Sequence, residues 1–121
     1  LLIASIVCGI CLATVFQLAH VVDETEFKTL DNYKVEEEWM IHQLQSTANF
    51  ATKSKTLTWL LGGLNFQVEH HLFPKISHIH YPKINEILKT ECLAYSVKYN
   101  EYPTFFAAFN SHINVIKSMS K

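Results

Sequence analysis

The residues best suited to chemistry in this sequence are two adjacent histidines, His70 and His71, in the stretch NFQVEHHLFP. Neutral imidazole is a common protein ligand for zinc and iron. In a helix each residue rotates by about 100°, so Gln67 and the two histidines would share an arc of about 100°. Glu69 would lie about 200° from Gln67 and point away from that arc. The pattern therefore predicts a metal-facing side made of Gln67, His70 and His71, with Glu69 in a supporting or structural position.

The residue pattern alone is compatible with more than one role for the histidines. His70 and His71 also suit ordinary polar positions at a membrane interface. His78 and His80 follow Pro74 too soon to share the same helix face, which favours surface or supporting positions for them. A structural zinc site formed by all four histidines is a further alternative. Zinc-protease chemistry is excluded, because the order is Glu then His-His rather than His-Glu-x-x-His.

The element that would lead into such a site is an apolar run at residues 1 to 22, which has no charged residue and no proline. At about 1.5 Å per residue, a helix of this length crosses a hydrocarbon core of about 30 Å. We therefore predict a transmembrane helix, with a signal peptide and a buried helix of a soluble core as alternatives. His20 is the unusual member, because ionisable residues in such segments are typically functional. The chain starts at Leu1 inside this run, so we interpret it as a fragment of a larger domain.

Beyond this run, the sequence predicts a mostly helical part lying at the membrane surface. An acidic connector, DETEFKTLDNYKVEEE, leads into a predicted helix from Glu36 to about Phe50, whose apolar side carries Trp39, Ile41, His42 and Leu44. Residues 57 to 66 are apolar but too short to span a membrane. They contain Gly62 and Gly63, where we expect another backbone to approach closely.

Two later prolines mark the starts of helices. Pro82 suits the first turn of a helix whose apolar positions are Ile84, Ile87, Leu88, Cys92 and Tyr95. The stretch YSVKYNEY looks extended. Pro103 then opens an amphipathic helix with an apolar side of Phe105, Phe106, Phe109, Ile113 and Ile116. The predicted fold class is an all-α integral membrane protein, with a transmembrane helix at 1–22 and a helical membrane-surface part at 23–121.

Composition argues against two classes of function. The formal net charge is −1, and the ten basic residues are scattered lysines, so no basic stripe for nucleic acid is present and no nucleic-acid partner is expected. The three cysteines form an odd set, with two of them inside the apolar run. Neither a disulfide framework nor a cysteine-based zinc site is indicated, and a reducing, intracellular setting is the simpler interpretation.

The stretch GGLNFQVEHHLFPKISHIHYPKI resembles the third histidine box of the membrane-bound fatty acid desaturases. The resemblance is strongest to the front-end or linoleoyl-CoA desaturase-like branch, in which Gln opens a Q-x-x-H-H box. The upstream WMIHQLQSTANF resembles the segment before that box, and FQLAHVVDE resembles the last membrane helix, with an extra histidine at its cytoplasmic end. The similarity runs from about Phe16 to about Leu88, with these parts in the family's order and spacing.

The resemblance implies a non-haem di-iron site whose ligands are histidines from three boxes and the extra histidine. Position by position, His70 and His71 match the paired iron ligands of the third box, and His20 matches the extra ligand. Gln67 stands where other branches have histidine, and His42 falls at a position suited to supporting the site. The first and second boxes are absent from this sequence. We therefore expect the 121-residue piece alone neither to hold a di-iron centre nor to desaturate a substrate.

The resemblance also implies the reaction and its partners. A saturated C–H bond has no acidic proton, so acid–base catalysis by Glu69 or a histidine cannot break it, whereas iron and O2 can remove two hydrogens and leave a cis double bond. The implied partners are a fatty acyl substrate (acyl-CoA or acyl-lipid), a cytochrome b5 or ferredoxin electron donor, and membrane lipid. The site would lie on the cytoplasmic face of the membrane. The alternatives are a related hydroxylase and a non-catalytic, membrane-anchored interaction module.

Overall fold

A computed structural model describes residues 1–22 and 37–120 of the chain. The acidic connector predicted after Val22 lies mostly outside these residues. The described part is mainly helical, as predicted, and contains six α-helices, one 3-10 helix and two short strands. In chain order the elements are α1 (Leu2–His20), α2 (Glu37–Ser46), β1 (Asn49–Phe50), α3 (Lys55–Leu60), α4 (Gln67–Leu72), the 3-10 helix (His78–His80), α5 (Tyr81–Ala94), β2 (Glu101–Tyr102) and α6 (Phe105–Met119).

Helix α1 has two environments along its length. Its 19 residues have the length and apolar composition needed to cross a membrane, with a mean hydropathy of 2.3 in the most apolar window. Only 17% of that window is buried among the described residues. The buried residues lie toward the C-terminal end, at Val15, Leu18 and Ala19. The end of α1 that carries His20 is therefore embedded in the rest of the fold, and the opposite end is uncovered.

The core that holds the end of α1 is built around a parallel pair of two-residue strands. Asn49 pairs with Glu101 and Phe50 pairs with Tyr102. Phe50 is completely buried. The surrounding apolar cluster comprises Val15, Leu18, Val22, Ala48, Phe50, Ala51, Tyr102 and Ala108. Because this cluster joins α1, both strands and α6, it connects the two ends of the chain.

The strand pair corrects the prediction that a helix continues to Phe50. Helix α2 ends at Ser46, and Asn100 explains this end, because its side-chain amide donates to the carbonyl oxygens of Leu44 and Gln45. Such contacts satisfy carbonyl groups that have no partner within the helix. The following residues then enter β1. The extended stretch predicted before Pro103 does lead into a strand, β2.

Two predicted apolar faces are buried only in part, although Leu88 and Cys92 of α5 and Phe105 of α6 do pack against the apolar clusters. In α5, Ile87 and Tyr95 are exposed, and the buried residues are Tyr81, Asn85 and Cys92. In α6, Phe106, Phe109 and Ile116 are exposed, and the buried residues are Ala108, Ser111 and Val115. The physical reason in α6 is that small residues allow close packing and the Ser111 hydroxyl forms a buried 2.9 Å hydrogen bond with Tyr102. The exposed face of α6 instead carries the large apolar residues, among them Phe106 and Phe109.

A second, smaller apolar cluster lies around α4. Leu44 of α2, Val68 of α4 and Cys92 of α5 are its buried members. Leu72, Leu88, Val97 and Tyr99 pack against them. Helix α4 is therefore held between α2 and α5, and its histidines are positioned by packing from both sides.

Candidate metal centre

Helix α4 has only six residues, and neighbouring residues fix both of its ends. The backbone N–H of Val68 donates to the Asn49 side-chain oxygen at 2.9 Å, which satisfies one of the amides at the start of the helix. At the other end, the Phe73 N–H donates to the Glu69 carbonyl at 2.9 Å, and Pro74 follows. The helical geometry that the sequence analysis considered for Gln67, His70 and His71 is observed over Gln67–Leu72.

The structure brings His20, His70 and His71 together. The ring centroids of His20 and His71 are 4.9 Å apart, and those of His70 and His71 are 5.9 Å apart. His20 comes from the end of α1 and the pair comes from α4, so two separate elements form this histidine cluster. Their predicted role as metal ligands remains a prediction.

Backbone contacts fix the end of α1 that carries His20. The His20 Nδ1 lies 3.3 Å from the carbonyl oxygen of Ser46. A carbonyl only accepts, so Nδ1 carries the proton and the metal-binding lone pair of the neutral ring is on Nε2. The Ala48 N–H donates to the Ala19 carbonyl at 2.8 Å, and His112 Nδ1 donates to the Val21 carbonyl at 2.7 Å. These contacts hold the histidine in one place relative to α4.

The paired histidines have different surroundings. His70 Nδ1 lies 3.3 Å from the hydroxyl of Tyr81, a buried residue at the start of α5. Burial lowers the pKa of His71, and the nearby His20 and His70 lower it further. The neutral ring is therefore favoured at His71. Neutral imidazole is the form that binds a metal.

Gln67 is the most unusual polar residue of the cluster's helix. It is completely buried, and neither its amide nitrogen nor its amide oxygen has a hydrogen-bond partner among the described residues. A buried polar group without a partner costs about 1–3 kcal/mol. Such a group, one turn before the histidine pair, is suited to a ligand or a water molecule bound at this face.

Glu69 lies at the centre of a separate hydrogen-bond network. Its side chain is completely buried and accepts from Asn49 Nδ2 at 2.7 Å, Asn85 Nδ2 at 3.0 Å and the Tyr99 hydroxyl at 2.5 Å. The Tyr99 oxygen also accepts from both asparagines, each at 2.6 Å. Burial raises the pKa of Tyr99, and the Glu69 charge raises it further. The phenol therefore stays protonated and acts as a donor to the carboxylate.

The remaining histidines singled out in the sequence lie elsewhere. His42 is half-buried on α2. His78 and His80 are exposed on the 3-10 helix, and a Cβ at Gly63 would lie 2.5 Å from the Cβ of His78. The prediction that another backbone approaches these glycines is therefore wrong, because the close neighbour of Gly63 is the His78 side chain. A Cβ at Gly62 would contact no atom of a non-neighbouring described residue within 4 Å, but the φ of +57° favours glycine there.

Within residues 1–22 and 37–120, no three His, Cys, Asp or Glu side chains form a group that could hold a metal ion. The fit to iron is therefore that of part of a ligand set. Three adjacent imidazoles and a buried amide without a partner are donors that iron accepts.

The sequence analysis missed the residues that form hydrogen bonds with Glu69 and His70 and so support the histidine cluster. Asn49, Asn85 and Tyr99 surround Glu69, and Tyr81 contacts His70. Asn85 carried a detectable signal, because it shares a helix face with Tyr81, Leu88 and Cys92 and is thus a polar residue at a core position. Asn49 and Tyr99 carried none, since their partners are distant in the chain.

Comparison with known proteins places the chain in a family. The family model described as fatty acid desaturase matches residues 1–103. The chain therefore belongs to the fatty acid desaturase family, whose members are membrane-bound and generally di-iron.

Three curated relatives show the same relationship. The chain is 48% identical to the sn-1 linoleoyl-lipid 6-desaturase of Synechocystis sp., over 93% of this chain and 32% of the relative. It is 44% identical to the enzyme of the same name from Arthrospira platensis, over 93% of this chain and 30% of the relative. It is 41% identical to the acyl-lipid (8-3)-desaturase of Physcomitrium patens, over 96% of this chain and 24% of the relative. The chain thus spans a third or less of these relatives. No solved structure gives a significant match.

Proposed function

We propose that this chain is the carboxyl-terminal part of a di-iron fatty acyl desaturase, which uses O2 and electrons to introduce a cis double bond. The observation that carries the proposal is the meeting of His20 with His70 and His71, which lie on separate elements of a chain that belongs to the desaturase family. Such convergence is what a site assembled from several histidine boxes requires.

His20, His70 and His71 would hold iron, and Gln67 would contact the same face directly or through water. Bound iron would supply the oxidising chemistry that a saturated C–H bond requires. The role of this chain is to present neutral imidazoles in a fixed arrangement. The Ser46 carbonyl holds His20, and Tyr81 holds the Nδ1 side of His70.

The remaining ligands would come from the rest of the protein. Two or three imidazoles do not impose the geometry that selects iron over zinc or copper. We therefore expect the 121-residue piece, taken alone, to retain no stoichiometric iron and to desaturate nothing. Iron retained by the purified piece after chelation would contradict this expectation.

The exposed apolar surfaces of α1 and α6 support the proposal of membrane attachment. Helix α1 would span the bilayer, with its buried end and the histidine cluster on the cytoplasmic side. The exposed Phe106, Phe109 and Ile116 of α6 would then lie against the lipid surface. This arrangement brings the site to the depth at which an acyl chain enters from the membrane.

We propose an acyl-lipid as the substrate in preference to an acyl-CoA. The names of the three relatives described above contain "linoleoyl-lipid" or "acyl-lipid". A membrane-embedded substrate also suits a site at the end of a spanning helix. The electron donor would be cytochrome b5 or ferredoxin, as in the family.

The test of this function is lipid analysis of cells that express the full-length protein. Mass spectrometry of the acyl chains should show a product that has lost two hydrogens. A product that has gained one oxygen would instead identify a hydroxylase. The His70→Ala/His71→Ala double variant should form no product, whereas the matched His78→Ala/His80→Ala variant should retain it. Product formation by the first variant would show that the reaction does not need His70 and His71, and would contradict the proposal. No product from the wild type would favour the non-catalytic membrane module.

A further inference from the structure

We propose that Glu69 is a positioning residue that sets the orientation of His70 and His71 through its contacts with Asn49, Asn85 and Tyr99. The inference rests on the proposed function, because it concerns the same histidines. It assigns to the glutamate of the EHH sequence a role that needs no contact with iron or substrate.

The hydrogen bonds around the Glu69 side chain are those expected for an ionised carboxylate, which only accepts. A buried charge is tolerated only where it is paired or fully hydrogen-bonded. Glu69 receives three donors, two on Oε1 and one on Oε2. The Tyr99 hydroxyl donates once to Glu69 and accepts twice from Asn49 and Asn85, so its bonding capacity is also complete. The carboxylate is therefore the acceptor that Asn49, Asn85 and Tyr99 share.

The network holds α4 at two points through one residue. Asn49 accepts from the Val68 N–H with its oxygen and donates to Glu69 with its nitrogen. Helix α4 has only six residues, and such a short helix is not stable by its own backbone bonds. Its rotation about its axis is therefore set by tertiary contacts. Two attachments at successive residues, 68 and 69, fix that rotation against β1.

The histidines follow directly in the chain, so the rotation of α4 decides where their ring nitrogens lie. An atom about 5 Å from the helix axis moves by about 2 Å when the helix turns by 20°. Metal–ligand distances are defined to about 0.2 Å. A rotation of a few degrees is thus enough to displace a ligand, and Glu69 acts on the opposite side of α4 from Gln67.

The experiment compares iron release from variants of the full-length protein. Glu69→Gln keeps the shape of the side chain but removes the charge and replaces one acceptor by a donor. Its matched control is Glu86→Gln, because Glu86 is exposed on α5. The readouts are the rate of iron loss to a chelator and the Mössbauer spectrum of the bound iron. Both are recorded at a temperature where every variant is folded.

We expect Glu69→Gln to release iron about ten-fold faster or more, with a changed spectrum, as for other residues that orient metal ligands. Glu86→Gln should match the wild type. A lower melting temperature with unchanged release and spectrum would show a merely structural role and overturn the inference. If Glu69→Gln does not accumulate, Tyr99→Phe decides between the same two results.

The His70→Ala/His71→Ala variant separates the two proposals. If it retains iron like the wild type, the proposed function fails and the inference fails with it. If it loses iron while Glu69→Gln behaves as the wild type, only the positioning role is wrong.

Discussion

The substitution Tyr99→Phe tests the energetic importance of the Glu69 network most sharply, because it removes a single oxygen atom. That oxygen donates to Glu69 at 2.5 Å and accepts from Asn49 and Asn85, each at 2.6 Å. The aromatic ring remains, so its packing against Leu44, Val68 and Cys92 is preserved. The change therefore isolates the hydrogen bonds.

The expected loss can be estimated from these contacts. A hydrogen bond to a charged group contributes about 1.5–3 kcal/mol. Each asparagine nitrogen keeps Glu69 as an acceptor for one N–H, whereas its other N–H loses the Tyr99 oxygen. We therefore expect the free energy of unfolding to fall by about 2–3 kcal/mol. At about 2–4 °C per kcal/mol, the melting temperature should fall by about 4–12 °C.

The measurement is thermal unfolding of the purified full-length protein in detergent. Tyr95→Phe is the matched control, because this tyrosine is 76% exposed and four residues away. Substitutions at such surface positions typically change stability by less than about 0.5 kcal/mol. Equal melting temperatures for the two variants would refute the conclusion that the Tyr99 hydroxyl stabilises a buried charge.

Three further predictions concern pH, a turn and a helix end. Because burial and Glu69 raise the pKa of Tyr99, only the unfolded state loses the phenol proton above about pH 10, and the free energy of unfolding should fall as pH rises further. The fall should be shallower in Tyr99→Phe. Equal slopes of the free energy of unfolding against pH in the two proteins would contradict this. Gly63→Ala should lower the free energy of unfolding by about 1–3 kcal/mol, because φ is +81° and the new Cβ would clash with His78. Gly9→Ala is the control, because a Cβ there meets open space, and thermal unfolding should show no measurable change. His112→Ala should lower the free energy of unfolding by about 1 kcal/mol in thermal unfolding, because it removes the 2.7 Å hydrogen bond to the Val21 carbonyl at the end of α1. An unchanged free energy of unfolding would contradict this prediction.

Local periodicity predicted several features of the site. Helical rotation placed Gln67 with His70 and His71 and turned Glu69 away from them, and the structure gives Glu69 its own set of partners. The family resemblance added His20 to the same set, through its place in the order of motifs. These features depend on spacing within one turn or on motif order, both of which are visible in a sequence.

Contacts between distant residues were not predictable in the same way. Asn49 and Tyr99 are 20 and 30 residues from Glu69, and no pattern within one segment links them. Likewise, α2 ends early because Asn100, more than 50 residues later, binds its carbonyls. The periodicity of α6 predicted an apolar side, but it did not show that Phe106, Phe109 and Ile116 on that side are exposed while smaller residues are buried. Tertiary hydrogen bonds decided each of these cases.

The central claim is that the histidine cluster holds iron, and the most direct test is the iron content of the purified full-length protein. The wild type should contain iron in a fixed ratio to protein, and the His70→Ala variant should contain less, with the fold retained in thermal unfolding. His80→Ala, on the exposed 3-10 helix, should keep the wild-type ratio. An unchanged iron content in His70→Ala would contradict the account.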